Sequence, residues 1–203
     1  MTEQTATALD WLAGWGRCDL GIKPRGYAMH GYGLWQHRAH AQKTPLYARA
    51  LFLGDHEGQA LYFCCLDMGY VTHAIREGVC QKMREWLGDS FREERLVLTC
   101  THTHSGPGGC TQDAFYNVVT PGYRPDHVEL VVQACLHALQ QAQASAAPTS
   151  LNLARGFFDD QIDVAWNRSL NAYNQNPDVK PRPDTETHLA LNREMQVLAL
   201  KRE

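Results

Sequence analysis

The stretch Thr101-His102-Thr103-His104-Ser105-Gly106-Pro107-Gly108-Gly109 gathers the residue types that do chemistry. In extended chain, alternate side chains share a face, so His102 and His104 are expected to point the same way. Neutral imidazole is a good ligand for first-row metals, and its near-neutral pKa lets it carry protons. The pair therefore reads as two metal ligands, or as one ligand and one proton carrier. The glycines that follow let the backbone approach a substrate or take positive φ. Their amides could also point at a developing oxyanion. A bare His-x-His is a weak signal, often a surface or capping pair. One that ends a buried strand and runs into Ser-Gly-Pro-Gly-Gly is far less common.

Two hydrolase classes that use His-x-His fit poorly. The metallo-β-lactamase pattern needs Asp-His soon after the pair, where this chain has Ser105-Gly106. Barrel amidohydrolases carry the pair after their first strand, whereas several elements precede it here, and 203 residues is short for a (β/α)₈ barrel. His30, His37 and His40 surround Trp35 in an aromatic loop. They could serve a metal, although a pocket-lining or surface role is the plainer expectation. His56, His73, His127, His137 and His188 read as ordinary surface or helix residues. Asp67, ending an apolar run, could back a histidine or cap the next helix.

The elements that must position these residues read as α/β, a mixed sheet with flanking helices. Tyr47 to Leu53 and Ala60 to Met68 are strands joined by the turn-rich Gly54–Gly58, which predicts a hairpin. Val71 to Leu87 has helical spacing at Val71, Ile75, Val79 and Met83. Arg95 to Thr101 is the next strand, and strand-helix-strand at this spacing predicts a right-handed parallel crossover. His102 to Tyr123 is a long loop after a buried strand, where α/β sheets bind ligands. Pro125 opens a helix through about Ala144, with Val128, Val131, Val132, Cys135, Leu136 and Leu139 inward. Thr149 to Phe158 is strand-like, Asp178 to His188 a surface loop, and Met195 to Leu200 a last strand.

Composition narrows the function classes. Of the 203 residues 44% are hydrophobic and 20% charged, enough for one globular domain and too apolar for global disorder. A formal net charge of -3 argues against nucleic acid as partner. No run is apolar enough for a transmembrane segment. The N-terminus has no basic stretch followed by an apolar core, so a cytoplasmic location is the expectation. Seven cysteines without a Cys-x-x-Cys pair read as free thiols in a reducing compartment.

The nonapeptide resembles the signature of the neutral/alkaline non-lysosomal ceramidases. The resemblance runs from about Gly16 to Leu200. It includes Gly26-Tyr27-Ala28-Met29, Tyr47-Ala48-Arg49-Ala50, Asp67 before Gly69, Tyr116-Asn117, Asn167-Arg168-Ser169, Ala172-Tyr173, Asn176-Pro177 and Glu194-Met195. It implies the N-terminal part of a layered α/β/β/α catalytic domain, and residues 1–203 as a single, incomplete unit of it. It also implies a zinc-dependent hydrolase of an N-acyl amide bond, with ceramide going to sphingosine and fatty acid. On this resemblance His102 is the zinc ligand, and His104 and Arg168 are catalytic. The partner is a lipid amide; a peripheral membrane contact and a homo-oligomer are open, and many relatives are secreted. The family's other zinc ligands, a histidine, a glutamate and a tyrosine, and its serine in a Gly-Asp-x-Ser-Pro-Asn stretch, lie downstream of the matched region. The chain alone is therefore expected to bind zinc weakly and to lack substantial amidase activity. The rival reading is a truncated or degenerate relative without catalysis, or a fragment active only with the missing segment.

Overall fold

The computed structural model describes residues 4–5, 11–118, 120 and 122–202. In chain order the elements are β1 (Gln4–Thr5), β2 (Trp11–Asp19), β3 (Tyr47–Asp55), β4 (Ala60–Leu66), α1 (His73–Leu87), β5 (Leu96–Cys100), α2 (Pro125–Ala144), β6 (Ala147–Phe157), α3 (Leu170–Asn174) and β7 (Glu194–Arg202). The fold is mixed α/β, as the sequence pattern predicts. The described chain divides into two compact units. The larger comprises residues 11–149 with Arg202, and the smaller residues 4–5 and 150–201.

In the larger unit, β3 pairs antiparallel with β2 and with β4, and β4 pairs parallel with β5. The first residues of β6 add an antiparallel edge, with Ala13 opposite Ala147. The β3–β4 hairpin and the parallel β4–α1–β5 unit are the predicted ones. Both helices cover the sheet face that carries Ala48, Ala50, Phe52, Tyr62, Cys64 and Leu66, all buried. Helix α1 begins because Thr72 in extended conformation accepts the Ile75 amide on its hydroxyl at 3.2 Å. Its Ile75, Val79 and Met83 recur every fourth residue and are fully buried. Each such side chain contributes about 1.5–3 kcal/mol of burial. Helix α2 starts on Pro125, whose missing amide proton costs nothing in the first turn. It buries Val128, Val131, Cys135, Ala138, Leu139 and Ala142.

Strand β2 has no counterpart in the sequence reading. Its Gly14 and Gly16 look like loop residues, because glycine weakens a strand. Here the missing side chains are what lets α2 lie on the strand. A Cβ on Gly14 would stand 2.0 Å from the Ala142 carbonyl oxygen, and one on Gly16 2.1 Å from that of Ala138. Trp15 and Arg17 between them carry hydrogen bonds from their amides to Ser145 and Gln141 at the end of α2.

In the smaller unit, β6 pairs with β1, Gln4 opposite Leu153, and with β7. Arg193 organises the segment between β6 and β7. Its buried guanidinium donates to the carbonyls of Phe158, Asp159, Ile162 and His188. The segment from Asp178 to His188, expected as a plain loop, instead ends in a 3-10 turn over Asp184–Leu189. The turn is pinned by an Arg182–Glu186 ion pair at 3.0 Å. All seven cysteines are free, and Cys64, Cys80, Cys110 and Cys135 are buried.

Candidate metal centre

The peptide after β5 keeps the ladder for one residue, with the Thr101 amide donating to the Leu66 carbonyl at 2.9 Å. His102 then leaves the strand with φ 57°, the one positive φ on a residue other than glycine among those described. For such a residue this conformation costs about 1–2 kcal/mol and marks a functional position as a hypothesis. So His102 and His104 do face one cleft, but not by strand alternation. The left-handed turn at His102 brings their rings to 4.9 Å between centroids. The strand they follow, β5, ends the described strand order.

Behind His102 stands a backbone group. Its Nδ1 lies 2.5 Å from the Gly69 carbonyl oxygen. A carbonyl only accepts, so Nδ1 carries the proton and Nε2 presents a lone pair. That lone pair faces His104, whose Nε2 is 3.3 Å away. His30 completes the cluster, and one nitrogen from each of His30, His102 and His104 lies within 4.8 Å of the others. Burial, then His104 and His102, lower the His30 pKa below the ordinary imidazole value, which favours its neutral form.

His30 gets there through the backbone. The segment Gly26–His30 lies between residues 37–39 and the motif loop. The Met29 amide donates to His37, that of His30 to Gly106, and that of Gly108 back to Ala28. Gly108 is thus engaged in holding the loops together, not free for an oxyanion as the sequence suggested. A side chain there would strike Thr120 and the Ala28 carbonyl at under 3 Å. Asp67 neither backs a histidine nor caps α1. It accepts the Tyr47 amide at 2.9 Å and pairs with Arg49 at 2.6 Å, closing the end of the β3–β4 hairpin. His37 packs on Tyr32 at 4.3 Å and His40 is exposed, so neither joins the cluster. His127, a residue of α2 as the sequence reading allows, is buried against Tyr27.

The three imidazoles lie in the wall of a cavity of about 500 Å³. Tyr70, Phe115, Tyr116, Val118 and Thr120 supply the rest of its larger side chains, and none of its lining residues among those described is a carboxylate. Tyr70 stacks on Tyr116, and burial with nearby Cys110 and Tyr116 pushes its phenol up to about 12. It is a neutral hydroxyl at any physiological pH. The long loop 102–123 supplies part of this wall, with His30 and Tyr70 coming from earlier segments; Val119 and Pro121 within the loop lie outside the described residues.

Arg168 belongs to the smaller unit, and its side chain is exposed on the turn before α3. Asn167 shapes that turn. Its amide donates to the Ala190 carbonyl at 2.6 Å and its oxygen accepts from the Ser169 amide at 2.8 Å. Sequence reasoning singled out His102 and His104 but ranked His30 no higher than His37 and His40. The signal that separates them is a backbone one, the docking of Ala28–His30 on the glycine loop, and no spacing rule exposes it.

A mixed α/β chain with an imidazole cluster beyond a parallel strand pair, in an apolar pocket, is the class that fold and site define. The family description that matches residues 11–203 is the neutral/alkaline non-lysosomal ceramidase, N-terminal, and the chain belongs to this family. Over 167 residues it is 29% identical to a neutral ceramidase of Mycobacterium tuberculosis, covering 81% of this chain and 26% of the relative. Over 175 residues it is 26% identical to that of Pseudomonas aeruginosa, covering 86% and 26%. A solved structure described as a ceramidase complexed with C2 superposes with TM-score 0.85 at 25% identity, over 94% of this chain and 29% of that one. The chain thus spans about a quarter of the length of these curated relatives.

Proposed function

We propose that this chain carries part of a zinc-dependent amide hydrolase centre acting on a ceramide-like lipid, releasing sphingosine and a fatty acid. The observation that carries the reading is the convergence of His30, His102 and His104 in the wall of an apolar pocket. Its similarity to the neutral ceramidases of Mycobacterium tuberculosis and Pseudomonas aeruginosa supplies the substrate class.

The residues suit zinc on their donor chemistry. Neighbouring ligands of a tetrahedral zinc, each about 2.0–2.1 Å from the ion, stand about 3.3 Å apart. The Nε2 atoms of His102 and His104 have that separation. When bound, zinc supplies Lewis acidity at the carbonyl and activates water for attack. His102 is the fixed ligand, because the Gly69 carbonyl sets its tautomer and ring orientation. His104 has no comparable carbonyl on its other nitrogen among the described residues, so its ring is held less tightly than that of His102. For Arg168, in the smaller unit, the family resemblance alone supports a catalytic role. Tyr70, Phe115, Tyr116 and Val118 receive the hydrocarbon of the lipid and exclude water.

The absence of a carboxylate from the described lining favours a second reading, in which the chain holds metal and lipid but turnover needs further groups. A fluorescent ceramide assay with added zinc separates the two. Because the chain carries only part of the centre, zinc-dependent release of fatty acid, lost in His102→Ala, is expected to be slight. Release that survives both chelation and His102→Ala would contradict the proposal. Lipid and zinc bound without release would leave the second reading.

A further inference from the structure

We propose that Gly69 is a positioning residue for the metal centre, acting on two of its three imidazoles by separate means; this rests on the metal reading above. Its carbonyl oxygen accepts a hydrogen bond from His102 Nδ1 at 2.5 Å. That single contact fixes which nitrogen of His102 faces the cleft. Its α-carbon, lacking a side chain, is where the His30 ring lies. A Cβ built there would stand 1.9 Å from His30 Cδ2 and 2.6 Å from Cγ and Nε2. No real Cβ contact is that short, and the ring would have to leave. It could not shift freely, because Tyr70 packs on it at 4.4 Å and its own amide is held by Gly106.

Gly69 is buried and its φ is not in the left-handed region, so the glycine is not there for a turn. The backbone would tolerate alanine; the histidine would not. This differs from Gly109, whose φ of 75° explains it without reference to the cluster. The same logic recurs at Gly31, where a Cβ would fall 2.5 Å from His104 Nδ1, but there the φ of 99° already demands glycine. At Gly69 the space for an imidazole is the remaining reason.

The test is Gly69→Ala in the full chain, with zinc titrated by calorimetry. Groups that orient a ligand typically cost about 10–100-fold in metal affinity when altered, and that loss is expected here. A structural defect would give the same loss in any background, so the decisive arm is a double-mutant cycle with His30→Ala. Once the ring is gone, Gly69→Ala is expected to weaken zinc by less than about twofold further. An undiminished effect in the His30→Ala background would overturn the proposal, as would wild-type affinity in Gly69→Ala. If Gly69→Ala fails to fold, the double variant should recover folding, and a double variant equally unfolded would also overturn it. Should the wild type bind no zinc, the metal reading fails on its own. Imidazole ¹⁵N spectra of the metal-free proteins then decide the positioning claim: His30 signals must move in Gly69→Ala while His102 stays protonated at Nδ1. Unmoved His30 signals would refute it.

Discussion

At the scale of single residues, the cluster assigns its members unequal work. His102 is anchored from behind by a carbonyl and strained in its backbone, so its loss should be the most damaging. His102→Ala is expected to weaken zinc binding at least about a hundredfold, and His37→Ala to leave it unchanged; calorimetric titration of the two variants checks the contrast. His127 makes a different prediction. Burial first, and the Arg124 guanidinium next, lower its pKa from the ordinary 6.5. A histidine with a depressed folded pKa favours the fold in its neutral form. The stability it contributes is complete above pH of about 6.5 and is lost as pH falls through the lower folded value. Thermal unfolding followed from pH 7.5 down to 5 should show that loss, and His127→Gln should flatten part of it. A profile identical to wild type would show that His127 does not titrate with unfolding.

The pair His102 and His104 was legible in the sequence because its spacing and the glycines after it form a local pattern. Its geometry was not. Strand alternation predicts the shared face for the wrong reason, since the left-handed His102 and not a pleat turns the rings together. His30 was legible only as one of several histidines. Asp67 was misread because an aspartate ending a strand next to a histidine motif suggests a partner for it. A hairpin-closing pair with Arg49 needs the register of β3 against β4, which sequence does not print.

At the scale of elements, periodicity carried the reading as far as periodicity reaches. Helix α2 came out with its limits intact because Pro125 opens it and its apolar residues repeat at helical spacing. Strand β2 was invisible because its glycines answer to a helix more than a hundred residues away, not to their neighbours. This gives a sharp test. Gly16→Ala must push its methyl against the Ala138 carbonyl, 2.1 Å away in an unrelaxed backbone. Overpacking of that kind costs about 1–3 kcal/mol, and urea unfolding should show a loss near the upper end. Gly58→Ala, at a hairpin turn with open space around it, carries only the strain of its φ of 78° and should cost about 1 kcal/mol. Equal losses at the two glycines would mean that α2 does not bear on β2 as closely as described.

At the scale of the whole molecule, the described chain divides into two compact units, with the imidazole cluster in the larger and Arg168 in the smaller. Within the smaller unit the buried Arg193 ties together four carbonyls, and its removal leaves those of Phe158, Ile162 and His188 without a donor while Asp159 keeps the Ile162 amide. Arg193→Ala should therefore cost hydrogen-exchange protection across residues 157–194 while β3, β4 and α2 keep theirs. The family assignment rests on residues 11–203, and the fold agrees with it throughout. The metal site proposed for the chain lies at His30, His102 and His104. Crystals of the chain soaked in zinc and measured on both sides of the zinc absorption edge address that place most directly. The account predicts one strong anomalous peak about 2.0–2.1 Å from His102 Nε2, within the reach of His104 and His30. No peak at the imidazoles, or one unchanged in His102→Ala crystals, would contradict it.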